Sequence, residues 1–195
     1  IYELKKRNFF IVNFEDLGPG ADFADIVFNA LYEFSNPPKN RYYGYQYVVL
    51  RDEFIYTPFK EISKDVKNIL VTFGGVDQNN LTMRVLRAIE MLGLKDTKIS
   101  IIVGLGYKWM DKLDKAMSEL NTKGYNINFI RNPKIMAKHI RDSDIAITSN
   151  GRTIYEITSI GVPCISISQN ERENMHLFAR ISGAILNLGM ANNIS

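Results

Sequence analysis

The sequence contains few of the side chains that most often carry out catalysis or bind metals. Its 195 residues include one cysteine and two histidines. A single cysteine excludes an internal disulfide, and Cys164, in the run VPCISI, is typical of a residue packed in a strand. The acidic pair Glu15 and Asp16 fits a solvated loop better than a magnesium site. With no Ser/His/Asp set and no metal-ligand spacing, the sequence predicts no catalytic residue, no metal site and no cofactor in this chain.

Long apolar runs and a strong excess of one charge are also absent. No apolar run approaches the roughly 20 residues that span a membrane, and no signal peptide is visible, so we predict no membrane span and a cytoplasmic protein. The net charge is only +3, from 24 basic and 21 acidic residues. This excess is compatible with an anionic small ligand and is too weak to indicate a nucleic-acid partner.

What remains is an ordinary globular composition, with 46% hydrophobic and 23% charged residues. The chain begins with Ile1 instead of Met and ends in a polar stretch at 192–195. From these ends we expect a fragment that lacks material on both sides.

From residue 68 onward, strand-like and helix-like patterns alternate strictly. Continuous apolar runs predict strands at 68–73, 98–103, 127–130, 144–148, 164–167 and 184–188. Helical spacing of apolar residues predicts helices at 81–92, 109–120, 134–140 and 172–181, and another that begins near 151. This alternation predicts an α/β fold, a Rossmann-like doubly wound parallel sheet with right-handed crossovers.

The chain before this region follows a different pattern. Short strands are predicted at 8–14 and 25–28, and a polar connector rich in proline and tyrosine follows at 34–47. A domain boundary is therefore expected between about 35 and 60. We predict a remnant of a second α/β domain with its connector at 1–58 and the Rossmann-like domain at 59–195.

Ligands of such sheets bind beyond the carboxyl ends of the strands, where three loops are candidates. In the first, Gly74 and Gly75 would let backbone N–H groups approach an anion beside a helix N-terminus. The alternative is a tight turn before a helix that is capped by Asp77 or Asn80.

The second loop contains Gly104 and Gly106 but lacks the third glycine of a dinucleotide fingerprint, so taken alone it indicates a turn. The pattern G-x-G-x-x-G is missing from every strand–helix turn. An NAD-dependent oxidoreductase is therefore disfavoured.

The third loop opens the stretch SNGRTIYEITSIGVP at 149–163. Thr153 and Glu156 have the spacing of a capping box, and Gly161 before Val-Pro is typical of a helix stop. Alternatively, the N–H groups of 151–153 would meet a phosphate that Arg152 neutralises, while Glu156 accepts both hydroxyls of a ribose. The two interpretations are compatible if Glu156 moves from the cap to the ribose when the ligand arrives.

The order of these motifs resembles a known family. ILVTFGGVD at 69–77, TSNG at 148–151, Glu156 and GVP at 161–163 are similar to the C-terminal half of GT-B nucleotide-sugar enzymes. The match is closest to the SpsG-like and pseudaminic-acid UDP-sugar hydrolase family, which is related to the glycosyltransferase MurG. GYQYVVLRDEF at 44–54 resembles the segment between its two domains, and DIVFN at 25–29 resembles the end of its first domain.

The resemblance implies the UDP-sugar-binding part of a nucleotide-sugar hydrolase or glycosyltransferase in surface-polysaccharide or pseudaminic-type nonulosonic acid biosynthesis. It assigns the ribose to Glu156, the diphosphate to 151–153 and the uracil to backbone near Ile130, with Met136 nearby. It assigns contact with the sugar to Glu173 and Asn174, at the positions where the family often has a pair of amide side chains. The predicted ligand-binding residues are Gly74, Gly75, Asp77, Gly104, Gly106, Ile130, Met136, Asn150, Gly151, Arg152, Thr153, Glu156, Glu173 and Asn174.

Two departures from the family pattern concern the sugar and the chemistry. Val76 stands where the family often has a hydroxyl after the two glycines. The family's catalytic histidine lies in a glycine-rich loop that this chain does not contain, so the chain alone is expected to be inactive, and His139 and His176 are interpreted as packing residues. The alternative function is a non-catalytic Rossmann-like docking domain that partners a sugar-nucleotide synthetase.

Overall fold

The computed structural model describes residues 1–194 as two parallel sheets that are flanked by helices. Ser195, the last residue of the predicted second domain, lies outside the described residues. The helices are α1 Tyr2–Lys6, α2 Asp52–Ile55, α3 Leu81–Met91, α4 Met110–Thr122, α5 Met136–Arg141, α6 Thr153–Ile160, α7 Glu171–Asn174 and α8 Phe178–Ile181. The strands are β1 Val12–Phe14, β2 Ile26–Asn29, β3 Arg41–Tyr43, β4 Asn68–Thr72, β5 Lys98–Val103, β6 Asn126–Arg131, β7 Ile145–Ser149, β8 Cys164–Ser168 and β9 Ile185–Met190.

The large sheet confirms the predicted α/β fold. Its six strands are all parallel and run in the order β6-β5-β4-β7-β8-β9. The chain first winds outward through β5 and β6, then returns to add β7, β8 and β9 on the other side of β4. The direction therefore reverses between β4 and β7, and in such sheets this switch point is where a crevice for ligands forms.

Two hydrophobic clusters cover the two faces of the large sheet. Helices α3 and α4 pack on one face, where Val71 and Ile99 are completely buried. Helices α5, α6 and α8 pack on the other face, where Leu70 and Ile157 are completely buried. Successive residues of β4 point to opposite faces, and each such buried side chain stabilises the fold by roughly 1.5–3 kcal/mol.

A small sheet of three parallel strands, in the order β1-β2-β3, precedes the large one. It differs from the sequence prediction in three ways. The first strand begins at Val12 instead of residue 8, the helix Tyr2–Lys6 precedes it, and Arg41–Tyr43 forms a third strand inside the expected connector. Three residues are too few to show the alternation that marks a strand in a sequence.

The helix that was predicted at 172–181 is in fact two short helices, α7 and α8. At the interruption, the side chain of Asn150 binds two backbone carbonyls. Its Nδ2 donates to the carbonyl oxygens of Glu173, at 2.7 Å, and His176, at 3.1 Å. A continuous helix would use these carbonyls for its own i+4 hydrogen bonds.

The expected role of Cys164 in strand packing is confirmed. The side chain is 3% exposed at the start of β8, and burial raises the pKa of its thiol to about 12. Such a thiol stays protonated and unreactive. Within residues 1–194 no group of His, Cys, Asp and Glu side chains could hold a metal ion, and no helix there is long and apolar enough to cross a bilayer.

Candidate functional site

A cleft of about 310 Å³ opens at the switch point, at the carboxyl ends of β4, β7 and β8. Seven of the residues predicted to bind the ligand line it, namely Gly74, Gly75, Asp77, Gly151, Arg152, Thr153 and Glu173. The remaining lining residues are Phe73, Val76, Gln78, Ser149, Gln169 and Asn170. Residues about 75 positions apart in the chain thus meet at one edge of the sheet.

Gly74 and Gly75 present bare backbone to this cleft. Gly74 has a φ of +73°, a conformation that favours glycine. A Cβ on either glycine would meet nothing within 4 Å, so the space in front of both residues is open. A ligand atom can therefore approach the backbone of this loop closely.

Asp77 caps helix α3 at the end of the same loop. Its Oδ1 accepts from the backbone N–H of Leu81 at 2.8 Å, and its Oδ2 accepts from that of Thr82 at 2.9 Å. The carboxylate is 3% exposed. The capping alternative for Asp77 is thus what the structure has, whereas the side chain of Asn80 accepts from the hydroxyl of Tyr107 instead.

Gly104 and Gly106 support the glycine loop and do not line the cleft. A Cβ on Gly104 would lie 2.5 Å from the Cα of Gly75, and the N–H of Gly106 donates to the carbonyl of Gly75 at 3.0 Å. The structure therefore places both residues behind Gly75, where only glycine allows the close approach of the two loops.

The capping box predicted for Thr153 and Glu156 is wrong. Arg152 occupies the N-cap position of α6 with helical dihedral angles and makes no capping hydrogen bond with its side chain, and Thr153 is already inside the helix. The first backbone N–H groups of a helix have no intrahelical partner. At α6 these groups begin at the cleft that Gly151, Arg152 and Thr153 line, and they carry the positive end of the helix dipole.

Glu156 is held by a residue from the connector. The Nη2 of Arg51 donates to its Oε1 at 3.3 Å, while the Nη1 of Arg51 lies 2.7 Å from Glu53. Burial raises the pKa of Glu156, and the nearby Arg51 opposes this effect. Arg51 was not among the predicted site residues, because no local sequence pattern connects residues 105 positions apart.

Glu53 in turn links the connector to α5, the helix of the predicted uracil site. Its Oε2 accepts from the backbone N–H of Ala137 at 2.9 Å. Met136, next to Ala137, is 8% exposed and belongs to the hydrophobic core, against which Ile130 packs as a partly buried residue. These two predicted residues therefore lie near the start of α5, outside the lining of the switch-point cleft.

Glu173 reaches into the cleft from α7. Its Oε2 accepts from the backbone N–H of Gln169 at 2.8 Å, and burial raises its pKa despite such hydrogen bonds. Asn174, its predicted partner, does not line the cleft. Asn150 does not line it either. This side chain is 1% exposed and ties the 149–153 loop to the carbonyls of Glu173 in α7 and of His176 just after it.

A second cleft of about 540 Å³ continues from the first toward the small sheet. The two share Gly151, Arg152, Asn170 and Glu173. Phe14, Glu15 and Leu31 line the second cleft from the small-sheet side, and Arg172 and His176 line it from the large-sheet side. A guanidinium nitrogen of Arg152 lies 3.6 Å from Glu15, which joins the two sides.

Arg172 and His176 were not among the predicted site residues, and Glu15 lies in a loop as predicted but with a side chain that is only 12% exposed. Their positions depend on the break between α7 and α8 and on the packing of the small sheet. A basic residue and a histidine near the predicted sugar residues were the only signal in the sequence.

Comparisons with known proteins agree with this architecture. A family model described as the glycosyltransferase family 28 C-terminal domain matches residues 68–180. An uncharacterized protein of Methanocaldococcus jannaschii is 34% identical in an alignment of 189 positions that covers 88% of this chain and 37% of that protein. The spore coat polysaccharide biosynthesis protein SpsG of Bacillus subtilis is 29% identical in an alignment of 195 positions that covers 92% of this chain and 55% of SpsG.

The chain therefore spans between about a third and about half of the length of these curated relatives. Among solved structures, the crystal structure of Acinetobacter baumannii MurG superimposes with a TM-score of 0.70 over 99% of this chain and 57% of that chain. At 15% identity this likeness shows the fold.

Proposed function

Because the chain belongs to the family of the glycosyltransferase family 28 C-terminal domain, we propose that its switch-point cleft binds the diphosphate of a UDP-sugar. The family and the similarity to SpsG give the chain a sugar-nucleotide-related, glycosyltransferase-type function. UDP as the nucleotide and the residues that hold it belong to the proposal.

The observation that carries the proposal is the open N-terminus of α6 opposite the bare glycine loop. Uncapped N–H groups around Gly151 to Thr153 and the exposed backbone of Gly74 and Gly75 face one cleft. A diphosphate would accept hydrogen bonds from these N–H groups and gain from the helix dipole. Arg152 would add a positive charge on the side of the second cleft.

The rest of the nucleotide extends from there along α6. Glu156, one turn into the helix, would accept hydrogen bonds from the ribose hydroxyls in place of its contact with Arg51. The uracil would lie near Ile130 and the start of α5. Glu173, which lines both clefts, would face the sugar.

For the whole protein we propose a nucleotide-sugar hydrolase or glycosyltransferase of surface-polysaccharide or pseudaminic-type nonulosonic acid biosynthesis. The printed name of the SpsG relative supports the polysaccharide setting. In either reaction this half would position the diphosphate and stabilise the charge on the departing UDP through preorganised N–H groups.

Titration calorimetry with Gly75→Ala tests the proposal. The added methyl group projects into open space, so the fold should keep its melting temperature while UDP binds about tenfold more weakly. Leu105→Ala is the matched control, because Leu105 is 70% exposed in the supporting loop and does not line the cleft. No heat from millimolar UDP with the folded wild-type chain would contradict the proposal. A stable complex with a sugar-nucleotide synthetase would then favour the docking alternative.

A further inference from the structure

His176 is a buried side chain with one unsatisfied ring nitrogen. The residue is 4% exposed and lies in the short segment between α7 and α8. Its Nδ1 lies 2.8 Å from the carbonyl oxygen of Asn150. Its Nε2 is buried and has no hydrogen-bond partner among residues 1–194.

The contact with Asn150 determines which nitrogen carries the proton. A carbonyl oxygen can only accept, so Nδ1 must be the donor. Burial lowers the pKa of His176, and the positive charge of Arg172 lowers it further, against the opposing effects of the Asn150 carbonyl and Glu15. The ring is therefore neutral at pH 7, and Nε2 carries a lone pair that can only accept a hydrogen bond.

Two neighbouring side chains, Tyr32 and Arg172, surround the ring of His176. The ring of Tyr32 stands edge-on at 5.1 Å between centroids, and the hydroxyl of Tyr32 accepts from Nε of Arg172 at 3.0 Å. His176 itself lines the second cleft together with Arg172 and Glu15. Most buried polar groups in proteins are hydrogen-bonded, so an unpaired acceptor in the wall of a cleft points to a donor on a ligand.

We propose that Nε2 of His176 accepts a hydrogen bond from a hydroxyl or amide N–H of the ligand's sugar, which occupies the second cleft. This proposal rests on the proposed function and adds the orientation of the UDP-sugar relative to the two clefts. The diphosphate stays in the first cleft at Gly151, and the sugar extends from Glu173 toward the small sheet. A phosphate would not suit Nε2, since two acceptors cannot share a hydrogen bond without a proton between them.

Because Nε2 is shielded from solvent in the ligand-free chain, a group of the sugar reaches it only when the side chains around the ring move aside as the sugar fills the cleft. The same geometry sets the class of sugar. A pyranose with a free hydroxyl or an acylamino N–H satisfies the nitrogen. A sugar that presents only ether or carboxylate oxygens there leaves it unpaired, at a cost in affinity.

The replacement His176→Asn separates ligand contact from structural support. The amide nitrogen of asparagine can replace Nδ1 as donor to Asn150, but nothing takes the place of Nε2. We compare the affinities of UDP, UDP-glucose and UDP-N-acetylglucosamine by calorimetry in the wild type, in His176→Asn and in the control His139→Asn. His139 lies partly exposed on α5, outside both clefts.

For the wild type and the His139 control we expect at least one UDP-sugar to bind more tightly than UDP. In His176→Asn this advantage should fall about threefold to tenfold, the effect of one hydrogen bond, while UDP itself binds unchanged. An equal advantage in all three proteins, or none in the wild type, contradicts the role of His176 and leaves the UDP proposal intact. Failure of UDP to bind contradicts both.

Nitrogen NMR gives a second readout that does not depend on which sugar is chosen. With only two histidines in the chain, His139→Gln leaves the His176 ring as the sole imidazole signal. We expect the spectrum of the neutral tautomer with Nδ1 protonated, and a shift of the Nε2 resonance when the UDP-sugar is added but not when UDP is added. A tautomer with Nε2 protonated, or equal shifts with both ligands, overturns the assignment.

Discussion

Gly104 lies directly behind Gly75, so closely that a Cβ on Gly104 would come within 2.5 Å of the Cα of Gly75. The two residues lie in the loops that follow the neighbouring strands β4 and β5, and the N–H of Gly106 adds a hydrogen bond to the carbonyl of Gly75. Gly75 thus faces the cleft, while Gly104 packs behind it and determines the position of the Gly75 backbone.

This relationship predicts that two similar mutations both weaken UDP binding but differ in their effect on stability. Gly104→Ala must displace the backbone of Gly75, so we expect a loss of stability of roughly 1–3 kcal/mol, as for overpacked sites, together with weaker UDP binding. Gly75→Ala should weaken UDP binding without a comparable change in stability. Urea unfolding and calorimetry on both variants measure the two effects. Equal stabilities of the two variants would show that the loop at Gly75 moves to accommodate the methyl group on Gly104 without loss of stability.

Asp77 is expected to stabilise α3 and to make no direct contact with the ligand. Asp77→Ala removes two hydrogen bonds to the first turn of the helix, and we expect it to cost about 1–2 kcal/mol. The control Asp114→Ala changes an exposed carboxylate on α4. Thermal unfolding of both variants makes the comparison, and a Tm of Asp77→Ala equal to that of the control would contradict the capping role.

Asp144 is expected to make the stability of the fold depend on pH under acidic conditions. Although burial acts to raise its pKa, hydrogen bonds from Lys60, the N–H of Lys67 and Asn68 lower it to about 2. A carboxyl with a lowered pKa stabilises the fold above its unfolded pKa of 3.8, and this contribution is lost as the pH falls toward 2. The contribution is about 2 kcal/mol at neutral pH.

We therefore expect Asp144→Asn to be less stable than the wild type at pH 7 and the difference to shrink between pH 4 and pH 2. Denaturant unfolding at several pH values measures it. Asp65→Asn, at an exposed position before β4, serves as the control. A difference that is constant over this pH range would exclude the ionised carboxylate as its source.

The carboxylate of Glu156 is expected to strengthen ligand binding and to lower the stability of the fold at pH 7. The raised pKa of this carboxyl means that the fold disfavours its charge, so stability from this group is present below its unfolded pKa and is lost as the pH rises. We expect Glu156→Gln to keep or raise the melting temperature at pH 7, yet to weaken UDP binding about tenfold, as the loss of a charge-assisted hydrogen bond implies. A lower melting temperature with unchanged affinity would make Glu156 a structural residue.

The sequence predicted the large sheet well because each of its strands is a continuous apolar run between helices of the right length. The strand Lys98–Val103, for example, has the predicted bounds. The small sheet was harder, since β3 has three residues and no completely buried side chain. The periodicity of apolar residues locates helices and strands that bury one face. It does not detect short strands that are stabilised mainly by pairing with their neighbours.

At the site, local sequence motifs predicted the roles of residues less well than their positions in the fold did. Thr153 and Glu156 have the spacing of a capping box, but α6 begins one residue too early for Thr153 to cap it. The contact of Glu156 with Arg51 and that of Asn150 with His176 join distant segments. Such contacts depend on how the connector and the α7–α8 break pack, which a single sequence does not encode as a pattern.

The break between α7 and α8 also affects the energetics of binding. Asn150 ties the loop at one wall of the cleft to the segment at the other with three hydrogen bonds, two from its amide and one to its carbonyl. The walls are thus fixed relative to each other before any ligand arrives. A preorganised cleft loses little conformational entropy on association, so more of the interaction energy remains as affinity.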